Sequence, residues 1–258
     1  MPSCIAPRPV GSPAPTIRNI AHRGARAFAP ENTLAAFAKA HRLGASMIEL
    51  DVHLSRDGEL VVHHDDDLLR CTDVTQRFPG RSSYFVSDFD CDELVRLDAG
   101  SWYVRELDLP VAERQPFLQS LTADEADAWI SSADRDLYRS ETIHIPRLQD
   151  ALEQAHQLGL LVNIELKSLP RLYPGLTDAV VKLVKSLHQE QQVLLSSFDH
   201  EQLLAVRQQS SVIATAVLTC DRLARPGDYL SLLDADAYHP GCYGPFDSLG
   251  FGSVRGVL

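Results

Sequence analysis

His22, Arg23, Glu49, Asp51 and His64 bring two imidazoles, two carboxylates and a guanidinium into the first quarter of the chain. Imidazole is the side chain that readily gains and loses a proton near neutral pH. A guanidinium offers a planar fork to two phosphate oxygens. Neighbouring carboxylates repel each other unless a cation or a proton lies between them. Together these groups suit proton transfer at an anionic centre.

The positions of these groups follow from the strands that carry them. In Met47-Ile48-Glu49-Leu50-Asp51-Val52-His53-Leu54 the apolar residues share one face and Glu49, Asp51 and His53 the other, because strand side chains alternate with period two. Glu49 and Asp51 then stand roughly 7 Å apart along the strand. Leu161-Val162-Asn163-Ile164-Glu165-Leu166-Lys167 repeats the pattern, with Asn163, Glu165 and Lys167 on one face. One alternating strand is compatible with a half-solvated sheet. Two such strands in a chain of β/α rhythm point to a shared cavity, since buried parallel strands otherwise read as unbroken apolar runs.

The composition narrows the class. A chain of 258 residues with 45% hydrophobic content can bury one sizeable core, and its length suits a single α/β barrel domain. The net charge of −11 argues against a nucleic-acid surface. No stretch is long and apolar enough for a membrane span. Residues 1–16 hold five prolines with no basic start or apolar core, so they read as a disordered leader and not a signal peptide. Cys4, Cys71, Cys91, Cys220 and Cys242 are scattered, without Cys-x-x-Cys spacing, and read as reduced thiols. The expected location is the cytoplasm.

In order along the chain come His22-Arg23-Gly24, Pro30-Glu31-Asn32-Thr33, Glu49-Leu50-Asp51-Val52, Asp57-Gly58, His64-Asp65, Asn163-Ile164-Glu165-Leu166-Lys167 and Ser196-Ser197-Phe198. This series resembles the glycerophosphodiester phosphodiesterase family. The resemblance covers roughly residues 17–75 and 143–241. It implies a TIM-type (β/α) barrel over 17–258, with 66–145 a helical insertion that caps the barrel mouth after the third strand.

The first strand is expected to end at His22, and Pro30-Glu31-Asn32 to open a helix running to about Leu43, with Asn32 as a candidate cap. After the 47–54 strand, Arg56-Asp57-Gly58 makes a tight turn and residues 60–64 return as the third strand. Adjacent histidines on a strand point to opposite faces. The family's His-Asp pair falls on His64 and Asp65, which leaves His63 a structural role. The insertion reads as charged helical pieces over 87–97 and 121–131, with Trp102 and Tyr103 at the mouth or in the insertion's own core. From Pro146 the rhythm resumes: a helix through Leu148, Leu152 and Ala155, a strand to Lys167, a helix over 177–188, strands over 193–198 and 212–219, and a last strand at Ala237–Pro240. His188 and His239 read as structural. The resemblance implies an eighth β/α unit, and none is legible after His239. Either the chain is shortened, or residues 244–258 patch the gap irregularly, or a partner such as a second copy covers the open barrel edge.

The resemblance also implies chemistry. Glu49, Asp51 and Glu165 would form an all-oxygen site for a divalent cation, Mg²⁺ or Ca²⁺ in preference to Zn²⁺. Alternatively Lys167 and Arg23 neutralise these carboxylates with no metal. Arg23 and Lys167 bind the phosphate, and His22 and His64 are the acid/base pair, with their roles interchangeable at this stage. The implied reaction hydrolyses a glycerophosphodiester to sn-glycerol 3-phosphate and an alcohol. Rival readings are a lysophospholipid or sphingomyelinase D-like phosphodiesterase, or an inactive truncated relic that only binds metal or phosphodiester.

Overall fold

The computed structural model describes residues 18–169 and 173–241. The expectations placed on 1–16 and on 242–258 fall outside the described residues.

The sheet is built from β1 (Ile20–Ala21), β2 (Met47–Leu54), β3 (Leu60–Val62), β4 (Leu161–Leu166), β5 (Val193–Ser197), β6 (Ala214–Thr219) and β7 (Ala237–Pro240). Its order is β1-β2-β4-β5-β6-β7, every neighbouring pair in this path is parallel, and helices fill the crossovers after β4, β5 and β6. The alternating rhythm of the sequence is therefore realised, with β2 spanning the eight residues expected of it.

β3 departs from the expectation. It lies antiparallel to β2, with Val52 opposite Val62 and Leu54 opposite Leu60, and stands off the parallel path. The cause is the short Ser55–Glu59 connection: a tight turn can only return a strand antiparallel, since a parallel crossover needs about a dozen residues or more. The strand also stops at Val62, so His63 and His64 belong to the loop beyond it.

The two faces of the sheet pack differently. Ile48, Leu50, Val52, Val162, Ile164, Leu166 and Leu195 meet Phe37 and Ala40 of the Leu34–Arg42 helix, Leu148, Leu152 and Ala155 of the Leu148–Gln157 helix, and Val180 and Val184 of the Leu176–Ser186 helix. This is the principal core. The concave face holds a smaller cluster of Met47, Leu194, Ala216 and Ala237 at the N-terminal ends of the strands. Further along the same strands that face turns polar, through Glu49, Asp51, Asn163, Glu165 and Ser196, all with little or no exposure. Polarity is thus confined to the C-terminal ends, where parallel α/β sheets carry their chemistry.

Within the insertion, residues 66–145, lie six short α-helices, of which Cys91–Leu94 and Ala123–Trp129 fall within the two expected helical pieces. Ser101–Asp108 and Ser132–Arg139 were not legible. Trp102 and Tyr103 are buried with Leu118, Ile130 and Tyr138 in a second core that packs on Phe28, Ala29 and Ala36, so they are interior residues of the insertion. Tyr103 donates to the Ala27 carbonyl at 2.7 Å and Lys39 pairs with Asp134 at 2.9 Å, seating the insertion on the loop after β1 and the helix that follows it.

Candidate active site

The loop after β1 begins with two consecutive left-handed residues, Arg23 (φ 54°) and Gly24 (φ 76°). A side chain at Gly24 would place its Cβ 2.8 Å from the Ala36 backbone, so only glycine fits both the conformation and the space. The Gly24 amide donates to the Ala21 and Glu49 carbonyls at 3.1 and 3.2 Å, which locks the turn across the C-terminal end of β2. Arg23 consequently points back over the sheet. Its amide donates to Glu49 Oε2 at 2.7 Å and its Nη1 to Glu31 Oε1 at 2.8 Å, while its Nε lies 3.6 Å from Asp51 Oδ2. His22, half-exposed, places Nε2 3.7 Å from Glu49 Oε2.

The helix that follows starts later than expected and has a different cap. It spans Leu34–Arg42, and the Thr33 hydroxyl, not Asn32, accepts from the Ala36 amide. Asn32 is buried in the left-handed region (φ 55°), with Nδ2 donating to Asp51 Oδ2 at 2.8 Å and Oδ1 accepting from the Asp51 amide at 3.3 Å. Asn and Thr are both good caps. Here Thr33 takes that role and frees Asn32 to hold Asp51.

Glu49, Asp51 and Glu165 converge. Asp51 and Glu165 are register partners on β2 and β4, and the three carboxylates offer oxygens that all lie within 4.8 Å of one another. Burial, followed by the charges of Asp51 and Glu165, pushes the Glu49 carboxyl well above the usual carboxylate range. Glu165 is raised by burial and by Asp51, against the opposing pull of Lys167. Lys167 Nζ lies 2.9 Å from Glu165 Oε1 and 3.8 Å from Asp51 Oδ1. Even so, Glu49 Oε1 and Asp51 Oδ1 are buried and accept no hydrogen bond, which neutralisation by Lys167 and Arg23 alone leaves unexplained. A small divalent cation fits three converging carboxylates with unused inward oxygens.

His64 follows β3. Its Nδ1 lies 2.6 Å from Asp65 Oδ1, and it is near enough to Glu165 for its charge to lower that carboxyl's proton affinity. His63 is buried with Nε2 on the Asp67 carbonyl at 2.9 Å, the structural role expected of it. His53, fully buried beyond Asp51 on β2, sits 3.3 Å from the His64 carbonyl through Nε2 and 3.1 Å from the Tyr173 hydroxyl through Nδ1. On His22, burial and then the charges of Arg26 and Arg23 act to lower the imidazole to about 4.

The pattern of residues 22–242 matches the glycerophosphoryl diester phosphodiesterase family. The chain belongs to that family. It is 33% identical over 221 residues to a glycerophosphodiester phosphodiesterase of Caldanaerobacter subterraneus, covering 86% of this chain and 74% of the relative. A glycerophosphodiester phosphodiesterase of Bacillus altitudinis is 32% identical over 225 residues, 87% of this chain and 75% of its own. Among solved structures, an Oleispira antarctica phosphodiesterase in complex with the product sn-glycerol-3-phosphate superposes with a TM-score of 0.64 at 29% identity, over 87% of this chain and 74% of that one. Membership carries the TIM-type α/β class expected from the sequence. In this family member Glu49, Asp51, Glu165, Arg23, Lys167 and His22 meet at one end of the sheet, with His64 near enough for its charge to act on Glu165.

Sequence reasoning passed over five contributors. Glu31 and Asn32 stood in a quoted motif but read as the start of a helix. Asp65 was read only as the companion of His64. Arg70, which bonds Asp65 and Glu31, carried no spacing signal because a loop arginine in a charged stretch reads as solvated, and His53 stood on the polar face of its strand with Glu49 and Asp51 without being given a role.

Proposed function

We propose that the protein hydrolyses glycerophosphodiesters to sn-glycerol 3-phosphate and an alcohol. The single observation that carries this reading is the meeting of three buried carboxylates with Arg23, Lys167 and the two imidazoles in a family whose relatives are named for the reaction.

Glu49, Asp51 and Glu165 would hold a divalent cation, Mg²⁺ or Ca²⁺. When bound, such an ion neutralises phosphate charge and lowers the pKa of a coordinated hydroxyl. Arg23 and Lys167 orient the phosphate oxygens, while Glu31 fixes Arg23 and Asn32 fixes the Asp51 carboxylate. The acid/base assignment follows from surroundings. His22, half-exposed, its proton affinity lowered by partial desolvation and by Arg26 and Arg23, is fit to take the proton of a water or of the glycerol 2-hydroxyl as it attacks phosphorus. His64, its Nδ1–H turned to the Asp65 carboxylate, is fit to give a proton to the alcohol oxygen as the P–O bond breaks. Attack by the 2-hydroxyl closes a cyclic phosphate that water then opens, and attack by water yields the products directly.

One feature favours a lysophospholipid as a second substrate class: an apolar cavity of about 440 Å³ bounded by His22, Phe28, Leu43 and Trp129. We assign the protein to the cytoplasm, a reading supported by the free Cys71, Cys91 and Cys220 thiols, and no helix among the described residues is long and apolar enough to cross a membrane.

The test is release of free choline or ethanolamine from glycerophosphocholine, glycerophosphoethanolamine and lysophosphatidylcholine, with sn-glycerol 3-phosphate as the co-product of the first two and lysophosphatidic acid of the third, with and without Mg²⁺ or Ca²⁺. Cation-dependent release from the first two supports the reading. Tight calorimetric binding with no product rules out turnover, and a preference for the acylated substrate transfers the assignment to the second class.

A further inference from the structure

Arg70, in the first turn of the insertion, satisfies four of its five N–H groups on three side chains. Its Nε and Nη2 grip Asp65 in a two-point fork, at 2.5 Å to Oδ2 and 3.0 Å to Oδ1. Its Nη2 also reaches Glu31 Oε1 at 2.6 Å, and its Nη1 reaches Gln115 Oε1 at 2.8 Å. The guanidinium lies 5.9 Å from the centre of the buried Trp102 ring.

Each contact leads to a different part of the site. Asp65 Oδ1, held by Arg70, is the oxygen that meets His64 Nδ1 at 2.6 Å. Glu31 Oε1, held by Arg70, is also the oxygen that receives Arg23 Nη1 at 2.8 Å, so one buried oxygen bridges two guanidiniums. Gln115 belongs to the insertion and is itself placed by its amide on Glu106 Oε2 at 2.8 Å. A lysine could supply the charge at this position but not the fork, nor three partners at once.

We propose that Arg70 is a positioning residue, which couples the inserted segment to the reaction by fixing, through Asp65 and Glu31, the orientation of His64 and Arg23. This rests on the proposed acid/base role of His64. The insertion then sets the geometry of proton transfer without contributing a group that touches substrate.

The experiment compares R70K, D65N, the R70K/D65N double variant and Q115A by kcat, KM and melting temperature, with glycerophosphocholine as substrate. R70K is expected to lower kcat by about 10- to 100-fold, the scale of a small misplacement, with KM changed far less. The double variant is expected to lose less than the product of the two single losses, because both variants break the shared Asp65 branch while only R70K also disturbs the Glu31 branch. An R70K enzyme within about twofold of wild type overturns the proposal, as does a double variant whose loss is the product of the two single losses. If R70K does not fold, Q115A takes its place: a smaller fall in kcat that shrinks in the D65N background supports the coupling, and no fall sinks it. The His64 Nδ1 proton, followed by NMR, needs no turnover. It is expected in the wild type and lost in both R70K and D65N, and its persistence in R70K overturns the proposal even if the chain hydrolyses no diester.

Discussion

Asp51 and Glu165 are register partners on adjacent parallel strands, and Asp51 is completely buried while Glu165 is nearly so. Two carboxylates so placed sit one strand spacing apart, about 4.8 Å, with Glu49 one pleat away on the same face. Nothing in hydrophobic packing calls for that arrangement, and it costs stability unless a cation enters.

The first prediction concerns that cost. Glu49 and Glu165 have raised proton affinities, so the cation-free protein is favoured at low pH and loses stability as pH climbs past the usual carboxylate range. A bound divalent ion removes that loss, adding about 2.7 kcal/mol at a concentration 100 times its Kd. Melting temperatures measured in EDTA and in Mg²⁺ or Ca²⁺ across pH 5 to 8 should diverge as pH rises. D51N and E165Q should collapse the two curves onto each other, and a cation effect that survives both would exclude this cluster.

Glu31 has the opposite sign. Burial works to raise its pKa, but the hydrogen bond and charge of Arg70, with Arg23, outweigh it and hold the carboxyl at about 2. Its contribution is complete above the unfolded value near 4.5 and disappears as pH falls through about 2, amounting to about 3 kcal/mol. E31Q should therefore be less stable than wild type at pH 6 by a similar amount, and the gap should close towards pH 2. Denaturant titrations at several pH values would measure it, and a gap independent of pH would refute the assignment.

H22A and H64A should each lower kcat by about 10²- to 10⁴-fold, the usual scale for general acid/base groups. If His64 is the acid, an ester with a nitrophenolate leaving group, which needs no proton, should suffer less in H64A than in H22A. The reverse ranking would exchange the two roles.

Asn32 is expected to act through Asp51. N32A removes the Nδ2 donor 2.8 Å from Asp51 Oδ2 and leaves a buried carboxylate oxygen short of a partner, at about 1–3 kcal/mol. Cation affinity read by calorimetry should fall with it, because the ligand is no longer fixed. An N32A protein with unchanged affinity would return Asn32 to a purely local backbone role.

G24A tests the turn that aims Arg23. A left-handed φ costs a non-glycine residue about 1–2 kcal/mol, and the Ala36 backbone 2.8 Å from the new Cβ adds to this. Destabilisation above about 2 kcal/mol, with activity lost further than stability explains, is the expected outcome of paired melting and rate measurements.

Much of the fold was legible because alternation and spacing carry it. Met47–Leu54 reads as a strand with two carboxylates on one face, and that is how it folds. The helix after β4 lies within two residues of where periodicity puts it. What was not legible depends on direction or on partners far along the chain. The Arg56-Asp57-Gly58 turn already implied an antiparallel return, yet the strand after it was counted into the barrel. Thr33 and Asn32 are interchangeable caps until one of them meets Asp51, 19 residues away. Arg70 becomes distinct from any surface arginine only when Glu31, Asp65 and Gln115 are seen around it.

β1 is two residues long and pairs, among the described residues, with β2 alone. So short a ladder holds His22 and Arg23 only with the help of the Gly24 amide on the Ala21 and Glu49 carbonyls. Their corner of the molecule is moored by side chains on Glu49, Glu31 and Asp51, and electrostatics does there what a longer strand would do elsewhere. The phosphate binding proposed for Arg23 and the anchoring of that corner thus share one origin, and amide exchange at residues 20–24 should slow when the acidic cluster is filled.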